Sequence, residues 1–69
     1  MTIDTRLLTK IALKDRNFYV AEDLDDVVAT IDGEGLFITT VDAHLGQVTI
    51  NKNAIQYVCE EEVTFKKGE

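Results

Sequence analysis

The stretch that most narrows the fold is Gln47 to Cys59, QVTINKNAIQYVC. Two apolar runs, Val48-Thr49-Ile50 and Ala54-Ile55-Gln56-Tyr57-Val58, flank a polar knot, Asn51-Lys52-Asn53. β-Branched and aromatic side chains suit a pleated, half-buried surface, so each run reads as a strand. Asparagine tolerates left-handed backbone and bonds its own main chain, so the knot reads as a very short loop. Two strands joined this tightly restrict the chain to a small, sharply turning β architecture.

The same reading extends towards the N-terminus. Leu8 to Lys14 alternates, Asp15-Arg16-Asn17 forms a turn, and Phe18-Tyr19-Val20 resumes as strand. Val27 to Ile31 and Leu36 to Val41 read as the next pair, joined across Asp32-Gly33-Glu34-Gly35, and Gly46 precedes the run at Val48. Residues 5–14 also fit one helical face through Leu7, Leu8, Ile11 and Ala12, with Asp4 or Thr5 as N-cap. The hairpin pattern that follows favours a strand. The acidic run Ala21 to Asp26 is poor in β-formers and reads as a loop or a single helical turn. The tail, about residues 62–69, extends the last strand and then frays. Five or six short strands in one 69-residue domain, spanning residues 1–69, predict an all-β fold. The expected form is a small, strongly bent, five-stranded antiparallel barrel, with a short N-terminal helix as the variant.

Size sets the next constraint. A domain of about 60 residues buries only about 60% of the surface its unfolded chain exposes, so its core is marginal. Such chains gain support from disulfides, metals or partner subunits. Cys59 is the only cysteine and His44 the only histidine, so an internal disulfide is excluded and a His/Cys metal site would need carboxylates to complete it. Self-association is the support that remains, and no cofactor or metal is expected. Thirteen acidic against seven basic residues give a net charge of −6, which repels nucleic-acid phosphate and anionic membranes on average. No apolar run approaches the roughly 20 residues of a membrane span. The N-terminal residues carry no signal-peptide core, and a lone thiol fits a reducing, cytoplasmic setting.

Residues able to carry chemistry are few. Glu22, Asp23, Asp25 and Asp26 lack the glycine-punctuated spacing of a calcium loop and read as a solvated acidic turn. Glu60-Glu61-Glu62 read as charges that protect an edge strand from aggregation. His44 has only strand threonines near it in sequence, and Cys59 adjoins three glutamates rather than an electropositive niche. No catalytic residues are assigned and an enzyme is not expected. Asn51, Lys52 and Asn53 are the one place where a cation and base-reading amides coincide.

The C-terminal half resembles the Sm/LSm family, including its bacterial Hfq branch. Ile50-Asn51-Lys52-Asn53-Ala54-Ile55-Gln56-Tyr57-Val58 is similar to the family's second motif, which joins strands four and five through a very short loop. Lys52-Asn53-Ala54-Ile55 stands where the Hfq branch has Lys-His-Ala-Ile, and Leu36-Phe37-Ile38-Thr39-Thr40 resembles the third strand. The first motif departs: Val28 or Ala29 replaces its glycine, and Gly33-Glu34-Gly35 replaces its loop signature. The resemblance covers about residues 9–60 and is specific over the last dozen. It implies an Sm-like or SH3-like barrel in a homo-oligomeric ring, in which strand four of one subunit pairs with strand five of the next. Ile50, Ile55, Tyr57 and Val58 are then the expected subunit interface. Weak binding of single-stranded RNA at Asn51, Lys52 and Asn53 is the implied activity, with a non-RNA structural or protein-interaction module as the alternative.

Overall fold

A computed structural model describes residues 2–67. Five strands form one antiparallel sheet: β1 (Thr2–Leu13), β2 (Asn17–Val20), β3 (Phe37–Asp42), β4 (Gly46–Asn51) and β5 (Ile55–Lys67). A helix, α1 (Leu24–Asp32), stands between β2 and β3, and a single 3₁₀ turn (Lys52–Ala54) joins β4 to β5. The strand order is β4-β3-β2-β1-β5, so β4 and β5 are the two outer strands and the sheet does not close on itself.

Residues 5–13 are strand, in agreement with the hairpin reading and not with the helical variant. β5 runs through the predicted tail as far as Lys67, and Gly68 and Glu69 lie outside the described residues. The reading of Val27 to Ile31 as a strand paired with Leu36 to Val41 is corrected, because these residues belong to α1. Their β-branched character is outweighed by spacing. Leu24, Val27 and Ile31 fall on one helical face, with Val27 buried and the other two half-buried. The acidic run supplies the start. The Val27 amide donates to the Asp23 carbonyl at 3.0 Å, and Asp25 and Asp26 lie in the first turn, where negative charge complements the positive end of the helix dipole. Gly33 ends the helix, its amide donating to the Thr30 carbonyl at 3.2 Å. Gly35 (φ 99°) and Gly46 (φ 82°) occupy backbone that side-chain-bearing residues rarely adopt.

The core lies between the helix and one face of the sheet. Ile11, Phe18, Val20, Val27, Ile38 and Ile50 are buried together, with Leu13, Ile31, Val48, Ile55 and Val58 packed against them. Strand register explains the set, since directly opposed residues share a face. Ile11 faces Phe18 and Val58, and Ile38 faces Ile50. Ala12 pairs with Tyr57 but Leu13 pairs with Ile55, leaving Gln56 as a bulge that bends β5 where it leaves the 3₁₀ turn.

The sheet is unevenly shared. β2 covers only Thr9 to Ala12 of β1 and touches β3 at one pair, Val20 with Asp42. Beyond Thr9, β1 continues to Thr2 with β5 as its only strand partner among the described residues. These two strands form a ribbon that gives the molecule its long dimension, 43 × 20 × 19 Å.

Candidate functional site

The β4–β5 connection is built by its own side chains. The Asn51 carboxamide oxygen accepts from the Asn53 amide at 2.9 Å, capping the 3₁₀ turn. The Lys52 amide donates to the Leu36 carbonyl at 2.9 Å. The Lys52 ammonium reaches back across the molecule and donates to the Gly33 carbonyl at 2.7 Å and the Glu34 carbonyl at 3.3 Å. It thereby ties the loop after α1 to the 3₁₀ turn. Of the three residues singled out in the sequence, the Asn51 side chain serves the local backbone, the Lys52 side chain serves the distant backbone at Gly33 and Glu34, and Asn53 is exposed.

The four residues read as a subunit interface separate in the structure. Ile50 is only 2% exposed and belongs to the core. Ile55 and Val58 are half-buried against that core. Tyr57 is 51% exposed on the opposite face. There the Lys10 ammonium lies 5.5 Å from its ring centroid and bonds Glu61 at 3.3 Å. Tyr57 and the Glu61 carboxylate together hold the Lys10 ammonium above the usual lysine range.

A second cluster, undetected in the sequence, organises the β3–β4 turn. Asp42 is buried and accepts from the amides of Tyr19 at 2.7 Å, His44 at 2.8 Å and Leu45 at 2.9 Å. Burial pushes its carboxyl up, and the three amide donors outweigh that, leaving it below the usual aspartate value. The Ala43 amide returns to the Tyr19 carbonyl at 2.8 Å. The turn presents the His44 ring to Phe65 of β5 (centroids 5.3 Å apart) and edge-on to Tyr19 (6.5 Å). An x-Asp-x-x-x-Gly segment ending a strand is the signal that could have found this turn, because aspartate accepts from amides two and three residues on.

Glu22 links the remaining pieces. Its carbonyl accepts from the Thr9 hydroxyl at 2.6 Å, and its carboxylate accepts from the Thr40 hydroxyl at 2.9 Å. Beside it a cleft of about 730 Å³ opens between β1 and β3, lined by Arg6, Leu8, Thr39, Val41 and Phe65 among others. The cleft lies along the β1 edge that β2 does not reach. Its lining holds no paired acid and base or nucleophile with a base in bonding distance. Among the described residues no group of three or more histidines, cysteines or carboxylates could hold a metal ion. No helix among them is long and apolar enough to cross a membrane.

The chain matches no protein-family model, and no curated protein or solved structure matches it significantly.

Proposed function

We propose that this chain is a self-assembling structural module on an Sm-like small barrel, whose subunits join into a closed homo-oligomeric ring and which is not an enzyme. The observation that carries this reading is the position of β4 and β5. They are adjacent in sequence, joined by one 3₁₀ turn, yet lie at opposite edges of the sheet. Each leaves one row of backbone donors and acceptors without a strand neighbour, and such rows seek partners. Pairing β4 of one subunit with β5 of the next satisfies both rows by one repeated contact, and a rotation that closes gives a ring. In that ring Ile50 contributes its backbone, because its side chain is occupied by the core. Tyr57 contributes exposed aromatic surface. The order β4-β3-β2-β1-β5 and the 3₁₀ link before the last strand are the features that support the Sm-like or SH3-like reading.

RNA binding is the subsidiary reading within the same ring. Rotation would repeat Lys52 and Asn53 once per subunit around the axis. Against it stand the two carbonyls that engage the Lys52 ammonium and the net charge of −6 per chain. These favour the structural module, in a cytoplasmic setting, over an RNA-binding ring. Light scattering on the purified chain tests the assembly, with a mass of several subunits expected and a stable monomer at micromolar concentration overturning it. A titration with single-stranded RNA tests the subsidiary reading. Each phosphate contact adds about 0.7 to the slope of log affinity against log salt. Affinity that is tight at physiological salt and lost in Lys52→Ala would reverse the order of the two readings.

A further inference from the structure

The projecting ribbon carries a second unpaired edge, distinct from those of β4 and β5. Along β1, Thr2 to Leu8 pair with β5 on one side and, among the described residues, with no strand on the other. The two faces of this ribbon differ. On one, the His44 ring covers Phe65, and Arg6 stands over the same ring at 5.5 Å. On the other, Ile3 and Leu7 are each 61% exposed, with Thr5 between them. An open edge next to exposed aliphatic side chains is a surface built for another strand.

The sequence of that edge specifies which strand. Ile3-Asp4-Thr5-Arg6-Leu7 is self-complementary when reversed: aliphatic, acid, hydroxyl, base, aliphatic, so that an antiparallel copy sets acid against base and aliphatic against aliphatic. We propose that β1 pairs antiparallel with β1 of a second copy of this chain, about a two-fold axis passing at Thr5. In that register Asp4 lies opposite Arg6 of the partner subunit, and Arg6 opposite Asp4 of the partner subunit. Ile3 meets Leu7 of the partner subunit on the bare face, and the two Thr5 residues face each other across the axis. Within one chain Arg6 Nε already bonds Asp4 Oδ2 at 2.8 Å, so both charges share a face and are poised to extend into a four-charge cluster. A shift of one residue in either direction destroys both matches. The one-residue shift joins unlike faces, since opposed side chains share a face, and two-residue shifts set Asp4 against Asp4 or Arg6 against Arg6. The result is a continuous β5-β1-β1-β5 sheet across the axis, an isologous contact. The cleft of about 730 Å³ opens beside this edge at Arg6 and Leu8.

The contact is independent of the ring. If rings form through β4 and β5, the arms join them in pairs; if they do not, the chain is a simple dimer. Light scattering on Arg6→Asp, which sets acid against acid, is expected to halve the particle mass. Asp4→Arg combined with Arg6→Asp restores the match and is expected to restore the mass. Cross-linking fixes the register in a Cys59→Ser background. Facing residues of an antiparallel pair have Cα atoms about 4.5–5.5 Å apart, within disulfide reach. Thr5→Cys is therefore expected to form a disulfide dimer. Ile3→Cys should link to Leu7→Cys in a mixture but not to itself, because its own copy lies about 13 Å away at 3.3 Å per residue. A mass unchanged in Arg6→Asp, or Ile3→Cys linking to itself as readily as to Leu7→Cys, overturns the proposal. A wild-type particle of two subunits that Arg6→Asp converts to monomer would end the ring reading and leave the arm contact standing.

Discussion

β1 and β5 run through both the body of the molecule and its projecting ribbon, yet the two regions are held by different forces. Between Thr9 and Ala12, β1 has β2 on one side and β5 on the other, and Ile11, 0% exposed, lies in the core cluster with Val27 of α1. Between Thr2 and Leu8 its one strand neighbour among the described residues is β5, and although Leu8 is buried, Ile3 and Leu7 stand in water. A two-stranded ribbon is marginal by itself in water. The comparison shows that a strand's alternation gives it an apolar face but does not supply the layer that covers that face. In the body α1 supplies it. On the ribbon the β3–β4 turn covers one face through His44 and leaves the other bare.

Substitutions across this boundary should sort by the number of layers they disturb. Ile11→Ala leaves a void where three elements meet and is expected to cost about 4 kcal/mol, read as a lowered denaturation midpoint. A loss below about 1 kcal/mol would show that the body is no better packed than the ribbon.

Asp42→Ala comes next. It strips the acceptor from three backbone amides at the turn that seats His44 on Phe65, and is expected to cost about 2–3 kcal/mol. Because the folded carboxyl lies below its ordinary value, the stabilisation it provides is complete above the unfolded aspartate value of about 3.9. It is lost as pH falls through the lower folded value. The native protein should therefore lose stability as pH falls below about 4, with the Asp42→Ala protein showing a flatter acid limb in thermal melts. Equal acid sensitivity in both would move that dependence to other carboxylates.

Asp25→Asn with Asp26→Asn removes the negative charge from the first turn of α1. The expected loss is about 0.5 kcal/mol for each, shrinking as salt is added. Unchanged or raised stability at low salt would mean that these residues act as solvated loop charges. The smallest effect belongs to the ribbon: Leu7→Thr, measured at a dilution where subunits are apart, should change stability by less than about 0.5 kcal/mol. A loss as large as that of Ile11→Ala would show that the bare face is covered within one chain.

Much of the β framework was legible in the sequence because its signals are local. Alternation at Leu8 to Leu13, the polar break at Asp15 to Asn17 and the glycine before Val48 each appear within a few residues. The helix was misread for a related reason. Val27-Val28-Ala29-Thr30-Ile31 is as good a local pattern for strand as for helix, and what decided it was the burial of Val27 in one core cluster with Ile11 and Phe18. Asn51 was legible as a turn residue, since its cap closes within two positions. The Lys52 ammonium was not, because its carbonyl partners at Gly33 and Glu34 lie 18 or 19 positions away and meet it only through the fold.

What the sequence determined by itself was composition-limited and short-range: a β-rich character, no internal disulfide, most of the strand segments, and a charge pattern at Ile3 to Leu7 that is complementary to its own reverse. The tertiary structure alone decided which apolar face received a helix and which was left bare. It brought Asp42, His44 and Phe65 together and placed β4 and β5 at opposite edges. The physical reason is that hydrogen-bonded turns and alternation depend on neighbours along the chain, whereas burial depends on which distant surface arrives to exclude water.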